Sequence, residues 1–275
     1  KTTVHHNCTK EHSWDDYGLK VKDSSSSTIQ LLSPLTKEEV SFDNGGGGNW
    51  GAEGGADIHQ IKTITKAEME AVEIRVPGHC KTLQEAVDRV HGDDRLTTIV
   101  VGKGEHVVAV HEDENDNDIN RLGVISAMII VGDPGVPKSE IVVVGGFEFN
   151  PGIQGNCHLQ HLTLRQAKGC GVYGYSSFTM EDVLVEQCGS EGVVAWGTGV
   201  VGRCTNVEVR QCGWSGVVAH SGASITLIGA MTALHHNCTK GDSNKYGLIY
   251  GLQVGGFFST IQLVLPLTKE QVSLD

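Results

Sequence analysis

Apolar residues in the second half of the chain fall at every other position, in short runs broken by Gly, Gln, Asn or Cys. Leu162-Thr163-Leu164-Arg165-Gln166, Val183-Leu184-Val185-Glu186-Gln187, Val207-Glu208-Val209-Arg210-Gln211 and Thr232-Ala233-Leu234-His235-His236 recur at spacings of 21, 24 and 25 residues. Each is followed by a Gly-apolar pair: Gly171-Val172, Gly192-Val193, Gly216-Val217 and Gly247-Leu248. Alternation with a period of two predicts strands with one buried face. The spacing leaves no room for a helix in every crossover, so βαβ units are excluded. Stacked coils fit instead, each adding inward apolar residues to one continuous core.

A longer period encloses the short one. Val4-His5-His6-Asn7-Cys8-Thr9-Lys10 returns as Leu234-His235-His236-Asn237-Cys238-Thr239-Lys240, and Tyr17-Gly18-Leu19 is matched to Tyr246-Gly247-Leu248. Ser27-Thr28-Ile29-Gln30-Leu31 returns at Ser259 to Leu263, an offset of 232 residues, and Pro34 to Glu38 returns at Pro266 to Glu270. This reads as slightly more than one period of a tandem array, and a chain starting at Lys1 without a signal peptide reads as a processed or cut piece. Residues 1–64 are therefore expected to be the terminal coil and Gly-rich linker of a preceding unit, and residues 65–275 a solenoid domain.

Upstream of the repeats, Ile74-Arg75-Val76-Pro77-Gly78 reads as strand and turn. Thr82-Leu83-Gln84-Glu85 then has the form of a capping box, predicting a helix near residues 82–90. Thr98 to Val101 and Met128 to Val131 each lead as strands into a glycine. Across Ile74 to Leu263 these features resemble right-handed parallel β-helices of the pectin-lyase-like class, in which a cap helix precedes the coils. The resemblance implies an all-β fold: a right-handed parallel β-helix solenoid with a short N-terminal cap helix. The HHNCTK, STIQL, PLTKE and GGGGNWG elements are also similar to uncharacterised tandem β-helix proteins of algal type, a likeness that brings no activity.

Composition narrows the partners. The formal charge of −12 argues against nucleic acid and anionic membranes, which carry the same sign. No stretch approaches the roughly 18 apolar residues of a membrane span. Gly is abundant at 36 residues against 6 Pro, as expected of many tight turns between short strands.

Pectate lyases and alginate epimerases of the resembled class use Asp or Glu to hold Ca²⁺ and Arg, Lys, His or Tyr to move a proton. On the strands that follow the Gly turns, alternation places Tyr173, Val194, Val218, Ile249 and Lys20 in one outward column. Tyr175, Trp196, His220, Gly251 and Lys22 form the next. Neither contains a carboxylate, so no Ca²⁺ cage is expected, and no cofactor or metal is assigned. Tyr173, Tyr175, Trp196 and His220 are the candidate ligand-binding residues: as an apolar strip they suit sugar stacking, another protein surface or intramolecular cover, and Tyr173, Tyr175 or His220 would be the acid or base of any enzyme. Arg165, Glu186, Arg210 and His235 read as a solvated charge ladder. Alternation faces His235 away from His236 and His5 away from His6, which argues against chelation by either pair. The run Glu112 to Asp118 fails the EF-hand pattern and reads as an acidic loop.

Eight Cys form no C-x-x-C motif, and Cys188 and Cys212 share a turn column with Ala167 and Asn237, where either a reduced ladder or a disulfide is open. Asn7 and Asn237 head N-glycosylation sequons, a weak pointer to an extracellular or cell-surface location. The reading favours a non-catalytic structural or adhesive repeat module that meets neighbouring copies of itself head to tail. The alternative is a carbohydrate-binding or polysaccharide-active protein, a lyase, epimerase or hydrolase, working through the Tyr/Trp strip.

Overall fold

The computed structural model describes residues 73–93, 95–112, 118–240 and 250–274, and within residues 1–72 the backbone of six strands. The chain divides into two units, Lys1–Glu70 and Ala71–Asp275.

In the larger unit, strands stack in parallel on three faces of a β-solenoid. The first face contains Glu73–Val76, Thr98–Val101, Ile129–Gly132, residues 157–160 and 178–181, Val201–Thr205, Ser224–Ile228 and Thr260–Leu263. Gly104–Val107, Ile141–Val144, residues 162–165 and 183–186, Glu208–Arg210, Ala233–His235 and Ser273–Leu274 make the second. The third runs from Arg121–Val124 through Gly146–Phe149, Val172–Gly174, Val193–Trp196 and Val217–His220 to Leu252–Gly255. Cys157–Arg165 and Phe178–Glu186 pass around the corner between the first two faces, with His161 and Asp182 at the bend in the left-handed region at φ 53°.

The alternation seen in the sequence is what fills this solenoid. Leu164, Val185, Val209 and Leu234 lie in register on consecutive coils, and all are buried. Phe147, Phe149 and Phe178 are fully buried in the interior, with the Phe149 and Phe178 ring centroids 5.6 Å apart. At the N-terminal end lies the expected helix, α1, at Leu83–Gly92, its apolar stripe of Leu83, Ala86, Val87 and Val90 buried in the same core. The Thr82 hydroxyl accepts from the Glu85 N–H at 3.1 Å. The Glu85 carboxylate accepts in return from the Lys81 N–H, one residue before the partner in the usual capping box.

Between the second and third faces, Gly171, Gly192, Gly216 and Gly251 form a column, each carbonyl accepting from the coil before it: Phe147 N–H to Gly171, Val172 to Gly192, Val193 to Gly216 and Val217 to Gly251. A side chain cannot be fitted here. A Cβ on Gly192 would lie 2.2 Å from Val209 Cγ1 and 2.6 Å from the Gly216 oxygen. The last member of this column corrects the expected register. The pair is Gly251-Leu252 and not Gly247-Leu248, since Val217 pairs with Leu252 and His220 with Gly255. The outward positions assigned to Ile249 and Gly251 therefore belong to Gln253 and Gly255. The better repeat match was present in the sequence: Tyr250-Gly251-Leu252-Gln253-Val254 repeats Tyr17-Gly18-Leu19-Lys20-Val21 at four of five positions.

The smaller unit is built from the same coil. Val4–His5, Tyr17–Val21 and Thr28–Leu32 pair in parallel with Ser41–Phe42, Gly48–Ala52 and Asp57–Ile61. Two strands thus occupy the stretch expected to be Gly-rich linker. The pairing Val4 to Ser41 recurs in the larger unit as Leu234 to Ser273, each at the same place in its repeat. Residues 113–117 of the acidic run lie outside the described residues, and its ends form a two-residue antiparallel ladder, His111–Glu112 with Asp118–Ile119.

Leu234→Asp should abolish cooperative folding, because an unpaired carboxylate would enter a site only 1% exposed. Leu234→Ala should fold but lose about 2–5 kcal/mol in urea unfolding. A wild-type melting temperature for the Asp variant would contradict the register described here.

Candidate functional site

Four side chains expected to line up on the third face do so. Val172–Gly174, Val193–Trp196 and Val217–His220 place Tyr175, Trp196 and His220 along its outer surface. The indole and imidazole lie nearly parallel, 9° apart, with centroids 4.1 Å apart. Tyr173 packs against Tyr175 at 4.7 Å and against Trp196 at 6.4 Å. Gly255 makes this stack possible, because a Cβ there would lie 2.3 Å from His220 Cδ2. His220 is therefore sandwiched between an indole and bare backbone, and its Nδ1 contacts Ser221 Oγ at 2.7 Å.

The strip is less open than the sequence suggests. Tyr175 and Trp196 are each 38% exposed, but Val194 and Val218, which also face outward, are buried in a small cluster with Cys170 and Tyr173. Burial and a hydrogen bond with Tyr175 push the Tyr173 phenol well above its ordinary pKa, so it stays protonated. The expectation of a column without carboxylates also needs correcting. One coil before Tyr173 stands Glu148, ion-paired with Arg121 at 2.5 Å, and the Arg121 guanidinium lies 5.6 Å from the Tyr173 ring centre.

A second surface lies on the neighbouring face, where a groove of about 600 Å³ is lined by Arg165, Gln166, Glu186, Gln187, Arg210, Gln211, His235 and His236. Its centre is Glu186, 4% exposed. One oxygen accepts from Arg165 Nε at 2.6 Å, and the other accepts from Arg210 Nε at 3.0 Å and Nη2 at 2.8 Å. Burial alone would raise the Glu186 pKa, but the hydrogen bonds from Arg210 and Arg165 outweigh it and hold the carboxyl below its ordinary value. The network continues through Arg210 and Glu208 to His235 Nε2, 3.1 Å from Glu208 Oε1. The expected charge ladder is thus a connected chain of ion pairs around a buried carboxylate.

The two histidines do not face opposite ways. His236 adopts φ 52°, in the left-handed region, which breaks the alternation and brings its Nδ1 to 2.8 Å from His235 Nδ1. Among the described residues, no group of three or more His, Cys, Asp or Glu side chains gathers in a way that could hold a metal ion.

In the next turn column the Asn237 amide is engaged on both sides, accepting from the Cys212 N–H at 3.1 Å and donating to the Val209 carbonyl at 3.0 Å. The nitrogen that a glycan would occupy is thereby used in a backbone bond; Asn7 lies outside the described residues. The seven described cysteines are free, six of them buried. Burial pushes the Cys157 thiol up to about 11 and that of Cys204 up to about 12; the hydrogen bond with Cys212, and burial after it, raise Cys188.

One polar cluster was missed in the sequence. His161 Nδ1 lies 2.7 Å from Asp182 Oδ2, whose other oxygen accepts from Lys138 Nζ at 2.6 Å, while His161 Nε2 meets the Val136 carbonyl at 2.9 Å. The signal was available: His161, Asp182 and Asn206 recur at the coil spacing between the first two faces, each with φ near 53°. Every ring nitrogen and carboxylate oxygen in the cluster is engaged, so it pins the corner.

No protein-family model, curated protein or solved structure matches the chain.

Because the folded-state pKa of Glu186 lies below its unfolded value, its contribution is full above about pH 4.3 and is lost as the pH falls through the folded value. Glu186→Gln should lower stability at pH 7 by about 2 kcal/mol or more and flatten the loss between pH 5 and 2, measured by denaturant unfolding at each pH. Iodoacetamide should label the six buried thiols only slowly in the native protein, but readily in urea without reductant. Protection in urea would establish disulfides instead.

Proposed function

We propose that this chain is a non-catalytic structural or adhesive β-solenoid module of a larger extracellular or surface assembly. One observation carries the reading. The two copies of the repeat make the same strand pairing, Val4 to Ser41 and Leu234 to Ser273, as in an array where each coil is laid on the one before. The cap helix and the glycine turns support placement in the pectin-lyase-like class and the likeness to tandem β-helix proteins of algal type. The chemistry of the strip argues in the same direction. The Tyr173 phenol is held protonated, and His220 is flattened against Gly255.

A second reading rests on the exposed stack of Tyr175, Trp196 and His220, whose apolar faces suit the rings of a neutral or acidic polysaccharide. Incubation with uronate and neutral polysaccharides, followed by assay of unsaturated and reducing ends, should give no turnover. Turnover abolished in Trp196→Ala or His220→Ala would overturn the non-catalytic reading. Polysaccharide contact should retard the protein in affinity electrophoresis, and Trp196→Ala should remove the retardation without moving the melting temperature.

A further inference from the structure

The corner that closes the second face draws sequence neighbours together. On four successive coils the residue after the last outward position is left-handed: Gln166 at φ 54°, Gln187 and Gln211 at 56°, and His236 at 52°. Regular alternation would turn each of these away from the residue before it, but here both members of every pair line the same groove. On three coils the pair is Arg165-Gln166, Glu186-Gln187 or Arg210-Gln211, and on the fourth it is two imidazoles. The corner accepts glutamine, so the fold does not itself require His-His.

His235 stands between Arg210 of the coil before and Leu274 of the coil after, which places it on the flank of the stack. Its Nε2 lies 3.1 Å from Glu208 Oε1, an oxygen that also accepts from Arg210 Nη1 at 2.9 Å. A carboxylate only accepts, so Nε2 holds the proton, and in the uncharged pair Nδ1 keeps its lone pair. That lone pair meets His236 Nδ1 at 2.8 Å, with the two rings at 83° to each other. One proton, carried by His236, therefore lies between the two nitrogens. Among the described residues none hydrogen-bonds His236 Nε2, and a shift of the proton to that nitrogen frees both Nδ1 lone pairs. A carboxylate behind one imidazole nitrogen, with the other nitrogen facing an open groove, is the arrangement that orients histidine for a metal ion.

The surrounding charge admits a cation. Arg165 and Arg210 are matched by Glu186 and Glu208, and the whole chain carries −12. The His-His pair is also kept in both copies of the long repeat, as His5-His6 and His235-His236.

We propose that His235 and His236 chelate one borderline divalent cation through their two Nδ1 atoms, with water in the remaining positions and Glu208 as a positioning residue. Imidazole nitrogen suits zinc(II), nickel(II) and copper(II), with copper(II) held most tightly, whereas Ca²⁺ and Mg²⁺ take oxygen ligands. With metal–nitrogen bonds of about 2.0–2.1 Å, the two nitrogens need to part only slightly from their present contact. The site goes beyond the structural-module reading and does not rest on it.

The test uses the full 275-residue chain with His5→Gln and His6→Gln, so that one His-His pair remains. Calorimetric titration with zinc(II) should show one ion per chain, and Ca²⁺ or Mg²⁺ should give no binding heat. Electron paramagnetic resonance of the copper(II) form should show coupling to two imidazole nitrogens. Adding His236→Gln restores the corner residue of the earlier coils, so it should leave the metal-free melting temperature in place and weaken zinc binding about tenfold or more. Glu208→Gln keeps both imidazoles but should also weaken binding, because the charge that makes His235 a better ligand is gone. Zinc binding unchanged in His236→Gln, or copper coupled to a single nitrogen, overturns the proposal. Binding indifferent to Glu208→Gln overturns it too, since two imidazoles meeting by chance on the surface would behave that way.

Discussion

Hydrogen bonding between successive coils is the constraint on which the other features depend, because a single coil can neither satisfy its own backbone nor bury its own apolar face. The glycine column makes the ladder continuous at the tightest corner. There the Gly171, Gly192 and Gly216 carbonyls accept from the preceding coil, while core side chains press against the backbone where a Cβ would be. Once that approach is fixed, so is the register: Leu164, Val185, Val209 and Leu234 must stack, and the residues between them must face outward. The outer surface is therefore set by the sequence spacing of the glycines, and side chains distant in the chain are assembled into rows.

Those rows explain why the polar groups sit in connected chains. A charge at one outward position meets the charge at the same position one coil on, about 4.8 Å away. Glu186 is nearly fully buried, yet its two oxygens are satisfied by guanidinium groups from the coil before and the coil after. An isolated carboxylate at that burial would be costly; between Arg165 and Arg210 it is held ionised. The same periodicity lays Trp196 on His220 and sets His161 against Asp182.

Much of this was legible in the alternation and the spacing. The coil strands, the inward Leu and Val residues, the aromatic strip and the charge ladder follow from a period of two and a recurrence of roughly two dozen residues, and the helix from the capping box at Thr82 and Glu85. What was not legible came from residues that leave the alternation. His236 turns into the left-handed region, and a rule that assigns neighbours to opposite faces cannot anticipate its contact with His235. The misplaced Gly-Leu pair had a different cause. Tyr-Gly-Leu occurs near residue 246 and again, within the longer match Tyr-Gly-Leu-Gln-Val, at residue 250, and only the second puts Gly255 beneath the His220 ring. Burial of Val194 and Val218 on an outward column was likewise unreadable, because the pattern distinguishes inside from outside of a sheet but not what lies over it.

Comparison of the two repeat copies separates what the fold requires from what it leaves free. Strand residues are kept: Tyr-Gly-Leu and Thr-Ile-Gln-Leu stand in both copies, where they make or are positioned to make coil-to-coil pairings. The sequence between those strands is not kept. The first copy has Lys22-Asp23-Ser24-Ser25-Ser26-Ser27, and the second has Gly255-Gly256-Phe257-Phe258-Ser259. In the second copy Phe257 and Phe258 are 87% and 94% exposed, and Phe258 sits at φ 62°, a conformation unfavourable for a bulky residue. Neither ring adds to the core, so the ladder does not call for aromatic residues at this turn. The two copies thus join the same strand motifs through stretches of different polarity. A solenoid of this kind can therefore change what it touches at its turns while the glycine column and the inward apolar residues hold the stack constant.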